Sequence, residues 1–483
     1  MRYDGFEFVA VLLMLVGTTN QGAVMTTKTL QSVNPADFSV IGEIPMSSPE
    51  DVRKKVAAAR AAFPRWAALA LEGRLEILGR LRDEFVSRRP KLAELMTLEM
   101  GMPISQSLFT VDRALSYMNW SLNNAAKSLA PVITYEDDFE IDEVTFEPHG
   151  VAACISPWNF PASNFVWATF QALCAGNTIV FKNSEETQLF AREIEDMVQS
   201  AQFPEGVLNV IYGDGAVAQA MIADDINFIS FTGSTRVGEI LYKQAAEKFI
   251  PLVLELGGSD PGIVFEDADL DKILPALYAG RFTNCGQVCQ SMKRLIVHES
   301  LFDEVTEKLA MLVLSKEVGD PMDESTDIGP LVSQKQLDTL LSQMEDALTK
   351  GAKIICGGKQ PAGLSGAFYE PTILTQITPD MKIWSEEVFG PVLPVVSFKT
   401  YDEAITLANN TIYGLSASVF TQDKDLARRA SRDLQAGMIK NNLANTGKPE
   451  NIFGGYKRSG LSRENGHFGF HDVTQKKMIA REK

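Results

Sequence analysis

The sequence predicts an α/β protein built on parallel sheets. Three observations carry that expectation. Short apolar, β-branched runs alternate with helical stretches from Val151 onward, polar residues and glycines gather where those runs end, and the same alternation resumes after Gly257. At 483 residues the chain exceeds what a single core accommodates, so two or three domains are expected.

Along the chain, Phe8 to Val16 is an apolar run far shorter than the ~20 residues of a membrane span. It is flanked by Asp4 and Glu7, has only Arg2 as a basic residue, and lacks a small-residue cleavage site, so it also reads poorly as a signal peptide. A start at Met25 is the simpler reading, with residues 1–24 a non-native or disordered extension. Ser48-Pro49-Glu50-Asp51 opens a helix, with Ser48 as the cap and Pro49 at the first helical position. Val52, Val56, Ala59, Phe63 and Trp66 then form one apolar stripe, and Leu75, Leu78, Leu81 and Phe85 continue the helical pattern towards Gly101.

Five strands are expected next, at Val151–Ile155, Thr178–Phe181, Val207–Ile211, Phe228–Phe231 and Leu252–Leu256. Helical stretches between them imply right-handed crossovers and a parallel sheet. Such sheets bind ligands beyond their carboxyl ends. Asn159, Lys182, Gly233 and Glu255 fall at or just past those ends. Gly213-Asp-Gly-Ala-Val-Ala218 fits the dinucleotide fingerprint on paper. No acidic residue closes the next run, Phe231-Thr-Gly, so the motif reads instead as a turn opening a helix. These patterns divide the chain into a first α/β unit (25–130 with 150–256), a second (257–460) and bridging segments (131–149 and 461–483). Ile141–Phe146 and Val473–Ile479 look like strands outside either core, of the kind that completes a neighbouring subunit's sheet.

A net charge of −17 argues against a nucleic-acid or anionic-membrane partner, which needs a basic face. The five cysteines (Cys154, Cys174, Cys285, Cys289, Cys356) are scattered, which fits a reducing cytoplasm and no disulfide framework. The four histidines lack metal-binding spacing, and no metal is expected.

Chemistry concentrates in three motifs. Phe282-Thr-Asn-Cys-Gly-Gln-Val-Cys289 sets polar residues and a glycine ahead of a cysteine, an odd context for core packing. A thiolate is a strong nucleophile towards a carbonyl where it is accessible. Leu254-Glu-Leu-Gly-Gly258 ends an apolar strand on Glu255, which is costly unless the carboxylate is hydrated or functional. Pro157-Trp-Asn-Phe-Pro161 offers the Asn159 amide as a donor suited to an oxyanion. Each motif alone is more often structural than catalytic.

Together they resemble the aldehyde dehydrogenase family, as do Phe231-Thr-Gly-Ser-Thr235, Glu386-Glu-Val-Phe-Gly-Pro391, Tyr413-Gly-Leu-Ser416 and Phe453-Gly-Gly455. The resemblance runs from about Leu30 to Lys477. It implies a Rossmann-like cofactor sheet, an α/β catalytic domain and a small oligomerisation arm, in a homodimer or homotetramer. It further implies Cys289 as nucleophile, Asn159 with the Cys289 N–H as oxyanion donors, and Glu255 as the base that hydrolyses a thioester. Members that pass the acyl group to coenzyme A usually lack this glutamate. For the cofactor, NAD or NADP, the resemblance implies Lys182 and Glu185 at the adenosine ribose and Gly233 and Ser234 at the pyrophosphate. Trp158, Gly257, Glu387 and Phe389 would then lie around the nicotinamide end. A carboxylate at Glu185 accepts from ribose hydroxyls and repels a 2′-phosphate, which favours NAD.

Some positions depart from the family pattern. Lys182-Asn183 stands for the usual Lys-Pro, Ser462 for a glycine, and Gly257-Gly-Ser-Asp-Pro261 for Gly-Gly-Lys-Ser-Pro. The last variant, with Gly466-His-Phe-Gly-Phe-His471, is similar to a branch of bacterial succinate-semialdehyde dehydrogenases. That substrate calls for cations beside its carboxylate, yet Ala168 and Thr283 occupy the positions expected to hold them. Phe160 and Trp167 would give an aromatic wall suited to neutral aldehydes, while Lys448 is a candidate late-loop cation. Cys285 is either a redox partner of Cys289 or an inert neighbour. A silent binding relative and a cofactor-free cysteine hydrolase are the rivals from other classes.

Overall fold

The computed structural model describes residues 28–443 and 447–483, so the expectation for residues 1–24 lies outside the described residues. The first long helix, Pro49–Ala68, starts where the sequence places it. The Ser48 hydroxyl accepts from the Asp51 N–H at 3.2 Å, and the Asp51 carboxylate accepts from the Ser48 N–H at 2.9 Å. Its buried stripe is Val52, Val56, Ala59, Ala62 and Trp66. Phe63, expected in that stripe, is only half-buried. Ala62 is buried instead, where Gly206, at φ +82°, sets its backbone against the Ala58 carbonyl and Ala62.

Five parallel strands follow in the order Leu252–Glu255, Phe228–Thr232, Val151–Ile155, Thr178–Lys182, Leu208–Ile211. Alternation along each strand divides the core between two faces. Ala152 and Cys154 meet the helices Leu71–Ser87, Arg89–Met100, Ile104–Ser128 and Pro161–Ala175, while Val151, Ala153 and Ile155 meet Gly215–Ala223 and Thr235–Glu247. The Gly213 motif forms a turn into the helix Gly215–Ala223, which Asp214 caps, as its sequence suggests.

The second sheet has the order Lys353–Cys356, Thr372–Thr375, Val392–Phe398, Met292–His298, Asp260–Val264, Ser416–Phe420, Met438–Asn441, parallel except for its first pair. Only Leu256-Gly-Gly-Ser259 separates the carboxyl end of Leu252–Glu255 from the amino end of Asp260–Val264. The carboxyl ends of one sheet therefore face the amino ends of the other. Gly460–Leu461 returns to pair antiparallel with Leu252–Glu255, and the helix Gly466–Asp472 packs on Ile104–Ser128 and Pro161–Ala175.

A third, three-stranded sheet forms the arm. The C-terminal strand Thr474–Glu482 pairs along its whole length with Glu140–Pro148 of its own chain, from Thr474 opposite Pro148 to Glu482 opposite Glu140. Val132–Glu136 forms the far edge. The arm is anchored by Asn177, which is fully buried. Its amide oxygen accepts from the His149 and Gly150 N–H groups at 2.8 and 3.1 Å, and its amino group donates to the Ala172 and Val473 carbonyls at 3.1 and 3.0 Å. One side chain thus ties both arm strands to the first core. Among the described residues no helix is long and apolar enough to cross a membrane.

Candidate active site

Between the facing ends of the two sheets lies a cavity of about 640 Å³. Cys289, Glu255 and Asn159 all line it, although they come from three separate segments. Glu255 terminates its strand, Asn159 lies in the turn before the helix Pro161–Ala175, and Cys289 lies just before the strand Met292–His298. Parallel sheets of this kind bind ligands beyond strand carboxyl ends. Cys289 instead stands at the amino end of a strand in the second sheet, which becomes equivalent once the two sheets face each other.

The loop before Cys289 is held open against its own backbone preferences. Asn284 and Cys285 adopt φ +51° and +53°, uncommon for residues with a Cβ. Polar contacts hold this conformation: the Asn284 N–H donates to the Gln106 amide oxygen at 2.9 Å, and its side chain donates to the Asn159 carbonyl at 3.0 Å. Gln287 accepts from the Val332 N–H at 2.9 Å. Asn159 in turn donates one amide hydrogen to the Gln287 carbonyl at 3.0 Å, which fixes its plane and leaves its second N–H for another acceptor.

Electrostatics distinguish the two reactive groups. Cys289 is the one cysteine that is not fully buried. The low-dielectric surroundings still push its thiol up to about 12, with Lys293 opposing and the carboxylates of Glu387, Asp260 and Glu255 reinforcing the shift. Both Glu255 oxygens are buried without a hydrogen-bond partner among the described residues. Burial and the nearby Glu464 hold its carboxyl well above the usual carboxylate range, and Arg463 opposes them. Glu464 is likewise buried and raised, so this pair resists carrying two negative charges at once.

Further residues line the same cavity. Gly233 and Ser234 line the cavity, and the Ser234 side chain caps the helix Thr235–Glu247 by accepting from the Val237 N–H at 3.4 Å. Glu387 accepts from the Lys293 ammonium and the Gly258 N–H, each at 3.1 Å. A Cβ on Gly257 would collide with the Glu387 carboxylate, so the glycine is what lets that side chain sit there. Trp158 meets Phe389 edge-on at 5.5 Å. Lys182 and Glu185 lie outside this cavity, at the end of the strand Thr178–Lys182, with their charged groups 3.7 Å apart. Lys182 is buried and Glu185 exposed. A helix N-terminus, a buried ammonium, exposed and pocketed carboxylates and an aromatic pair suit the pyrophosphate, ribose hydroxyls and flat ring of a nicotinamide dinucleotide.

The model of the aldehyde dehydrogenase family matches residues 23–479. The chain belongs to the aldehyde dehydrogenase family. It is 37% identical over 466 residues to peroxisomal aminoaldehyde dehydrogenase 1 of Pisum sativum, an alignment covering 94% of this chain and 92% of that one. The chloroplastic betaine aldehyde dehydrogenase of Beta vulgaris is 36% identical over 459 residues, covering 92% of each chain. Among solved structures, the NAD+ complex of an aldehyde dehydrogenase from Bacillus cereus superposes with a TM-score of 0.91 at 33% identity, covering 94% of this chain and 93% of that one.

Within this family fold, Phe160 and Trp167 line the cavity as the sequence suggests, and so does Thr283. Ala168 does not. It is buried in the core of the first sheet, and the Cys154 thiol donates to its carbonyl at 3.1 Å. Lys448 is not among the lining residues either. Cys285 is buried in the core of the second sheet and, unlike Cys289, does not line the cavity. Three residues escape sequence reasoning. Lys293 and Glu464 are ionisable side chains in buried surroundings, and Arg113 lines the cavity from the helix Ile104–Ser128. The pair Lys293-Arg294 inside an apolar strand is the one signal that was available.

The raised thiol yields a direct expectation. Iodoacetamide should label Cys289 before any other cysteine, slowly at pH 7 and about tenfold faster per pH unit towards alkali, because the thiolate is the reacting form. Peptide mapping of the labelled protein checks this. A rate that stays flat between pH 7 and pH 9 would mean the thiol is already ionised at rest.

Proposed function

We propose that this aldehyde dehydrogenase oxidises its substrate with NAD and releases the free acid, the acyl group passing through a thioester on Cys289 to water. The observation that carries this reading is the convergence of Cys289, Asn159 and Glu255 on one cavity that dinucleotide-type residues also line. It also disfavours the two rival classes: a cofactor-free hydrolase has no use for Ser234, Glu387 and Lys182, and a silent relative has no use for an unpartnered Glu255.

In this reading Sγ of Cys289 bonds to the aldehyde carbon. Its proton leaves for solvent as the bond forms, since burial holds it on sulfur until then. The carbonyl oxygen becomes an oxyanion held by the free Asn159 N–H and the Cys289 backbone N–H. NAD, where bound, would supply the acceptor for the hydride on that carbon, and the thioester on Cys289 remains. Glu255 then takes a proton from water, whose oxygen attacks the thioester and expels the Cys289 sulfur. Its raised affinity for protons makes it a stronger base than an ordinary carboxylate.

Lys182 and Glu185 would hold the adenosine ribose, Ser234 and Gly233 the pyrophosphate, and Glu387 the nicotinamide ribose, with Trp158, Gly257 and Phe389 beside the ring. Succinate semialdehyde is the leading single substrate, with neutral aldehydes also turned over along the aromatic wall of Phe160 and Trp167. The exposed edge residues Val132, Ile133 and Tyr135 support a homo-oligomer, and the free cysteines support a cytoplasmic setting.

Two experiments address the chemistry. Glu255→Gln should give a burst of NADH followed by turnover at least about a hundredfold slower than the parent, because an amide cannot accept water's proton. In the parent, hydrolysis-limited turnover should fall as pH drops through the raised Glu255 value, an acid limb above the usual carboxylate range that Glu255→Gln lacks. Equal loss of burst and steady rate would assign Glu255 another role. For the coenzyme, kcat/KM should favour NAD over NADP, and Glu185→Ser should move the ratio towards NADP. An unchanged ratio would mean that the ribose lies elsewhere.

A further inference from the structure

The helix Ile104–Ser128 presents Gln106, Phe109, Thr110 and Arg113 to the cavity, one stripe at helical spacing. Arg113 is the outlier on that stripe. Its guanidinium lies over the rings of Tyr117 and Trp167, 5.9 and 5.6 Å from their centres. Nε and one terminal nitrogen are buried and have no hydrogen-bond partner among the described residues. The backbone at Gly447 closes over the same group, so tightly that a Cβ there would collide with it. A guanidinium cannot shed its charge, and aromatic faces offset only part of the cost of removing it from water. Nε–H and one Nη lie beneath Gly447 without acceptors among the described residues, and Arg113 also lines the cavity that holds Cys289, so a carboxylate at that end of the cavity would meet both its charge and its hydrogen-bond deficit.

We infer that Arg113 is the specificity determinant of this site and binds a carboxylate at the far end of the aldehyde, which makes the substrate class ω-carboxylated aldehydes. This rests on the reading of the cavity as an aldehyde site and deepens it. It supplies the cation that Ala168 and Thr283 do not. It also separates this chain from relatives whose names specify aminoaldehydes and betaine aldehyde. Those compounds carry a positive charge at the end opposite the aldehyde, which Arg113 repels. Trp167 thereby has two functions, walling the cavity and stacking under the cation, so its ring orients the guanidinium as well as excluding water.

The test compares kcat/KM for succinate semialdehyde, pentanal and betaine aldehyde, with NAD, on the full chain. The parent should prefer succinate semialdehyde to pentanal by about thirtyfold, the worth of a charge-assisted hydrogen bond, and should use betaine aldehyde least. Arg113→Met should collapse that preference, mostly through KM for the anionic aldehyde, and Arg113→Lys should restore part of it. Arg113→Glu should shift the ratio towards betaine aldehyde, an effect that loss of packing alone does not produce. A parent that oxidises pentanal as well as succinate semialdehyde overturns the Arg113 assignment while leaving the dehydrogenase reading intact. Equal losses on all three aldehydes in every Arg113 variant also overturn it, assigning Arg113 to structure. A folded parent that reduces NAD with none of the three overturns the underlying reading of the cavity.

Discussion

Lys293 donates its ammonium hydrogens to the carbonyls of Val288, at 2.9 Å, and Cys289, and reaches the Glu387 carboxylate at 3.1 Å, with none of its side chain exposed. This one cation joins the Cys289 backbone to the Glu387 carboxylate, both on the cavity. Glu387 also accepts from the Gly258 N–H at 3.1 Å, so the junction between the two sheets is tied into the same cluster. A buried ion set of this kind adds little net stability, because desolvation offsets most of the attraction. What it provides is position, since removing any member strands an unpaired charge in a low-dielectric interior. Asp260 extends the cluster: it accepts from the Ser416 N–H at 3.1 Å and lies in the field of Lys293 and Lys440, which opposes the rise that burial imposes on it. The aspartate of Gly257-Gly-Ser-Asp-Pro261, a departure from the family pattern, thus has a structural use beneath the site.

Glycine makes the cluster possible at its tightest points. Gly257 lets Glu387 approach the chain crossing between sheets, and Gly286, at φ +72°, lets the loop before Cys289 pass against the Gly390 carbonyl. With the chain held close at both places, the carboxyl ends of the first sheet and the amino ends of the second enclose a single volume. The thiol, the amide and the unpartnered carboxylate then share that volume although they lie far apart in sequence.

Much of this was legible in the residues. The five strands of the first sheet fall within a residue of their expected bounds, because buried parallel strands are short, β-branched and punctuated by turn residues. Cys289, Glu255 and Asn159 stood out because each is chemically misplaced for simple packing. What escaped was spatial. Ala168 follows Trp167 in sequence yet packs into the core and does not line the cavity, which sequence spacing alone does not show. Arg113 reads in sequence as an ordinary solvated charge on an amphipathic helix, and nothing local says that Tyr117, Trp167 and Gly447 enclose it. Glu464 lies 464 − 255 = 209 residues beyond Glu255, and only the fold sets their charges against one another. The pairing of the C-terminal strand within its own chain was equally invisible, since strand pattern specifies a partner's spacing and not its owner.

The claim on which the account turns is a thioester on Cys289 that Glu255 resolves. Intact-protein and peptide mass spectrometry of Glu255→Gln, quenched in acid seconds after mixing with NAD and succinate semialdehyde, tests it most directly. The account predicts one added acyl group per chain, located on Cys289 and removed by hydroxylamine. Stoichiometric NADH formation with no adduct, or an adduct on any other residue, would contradict it.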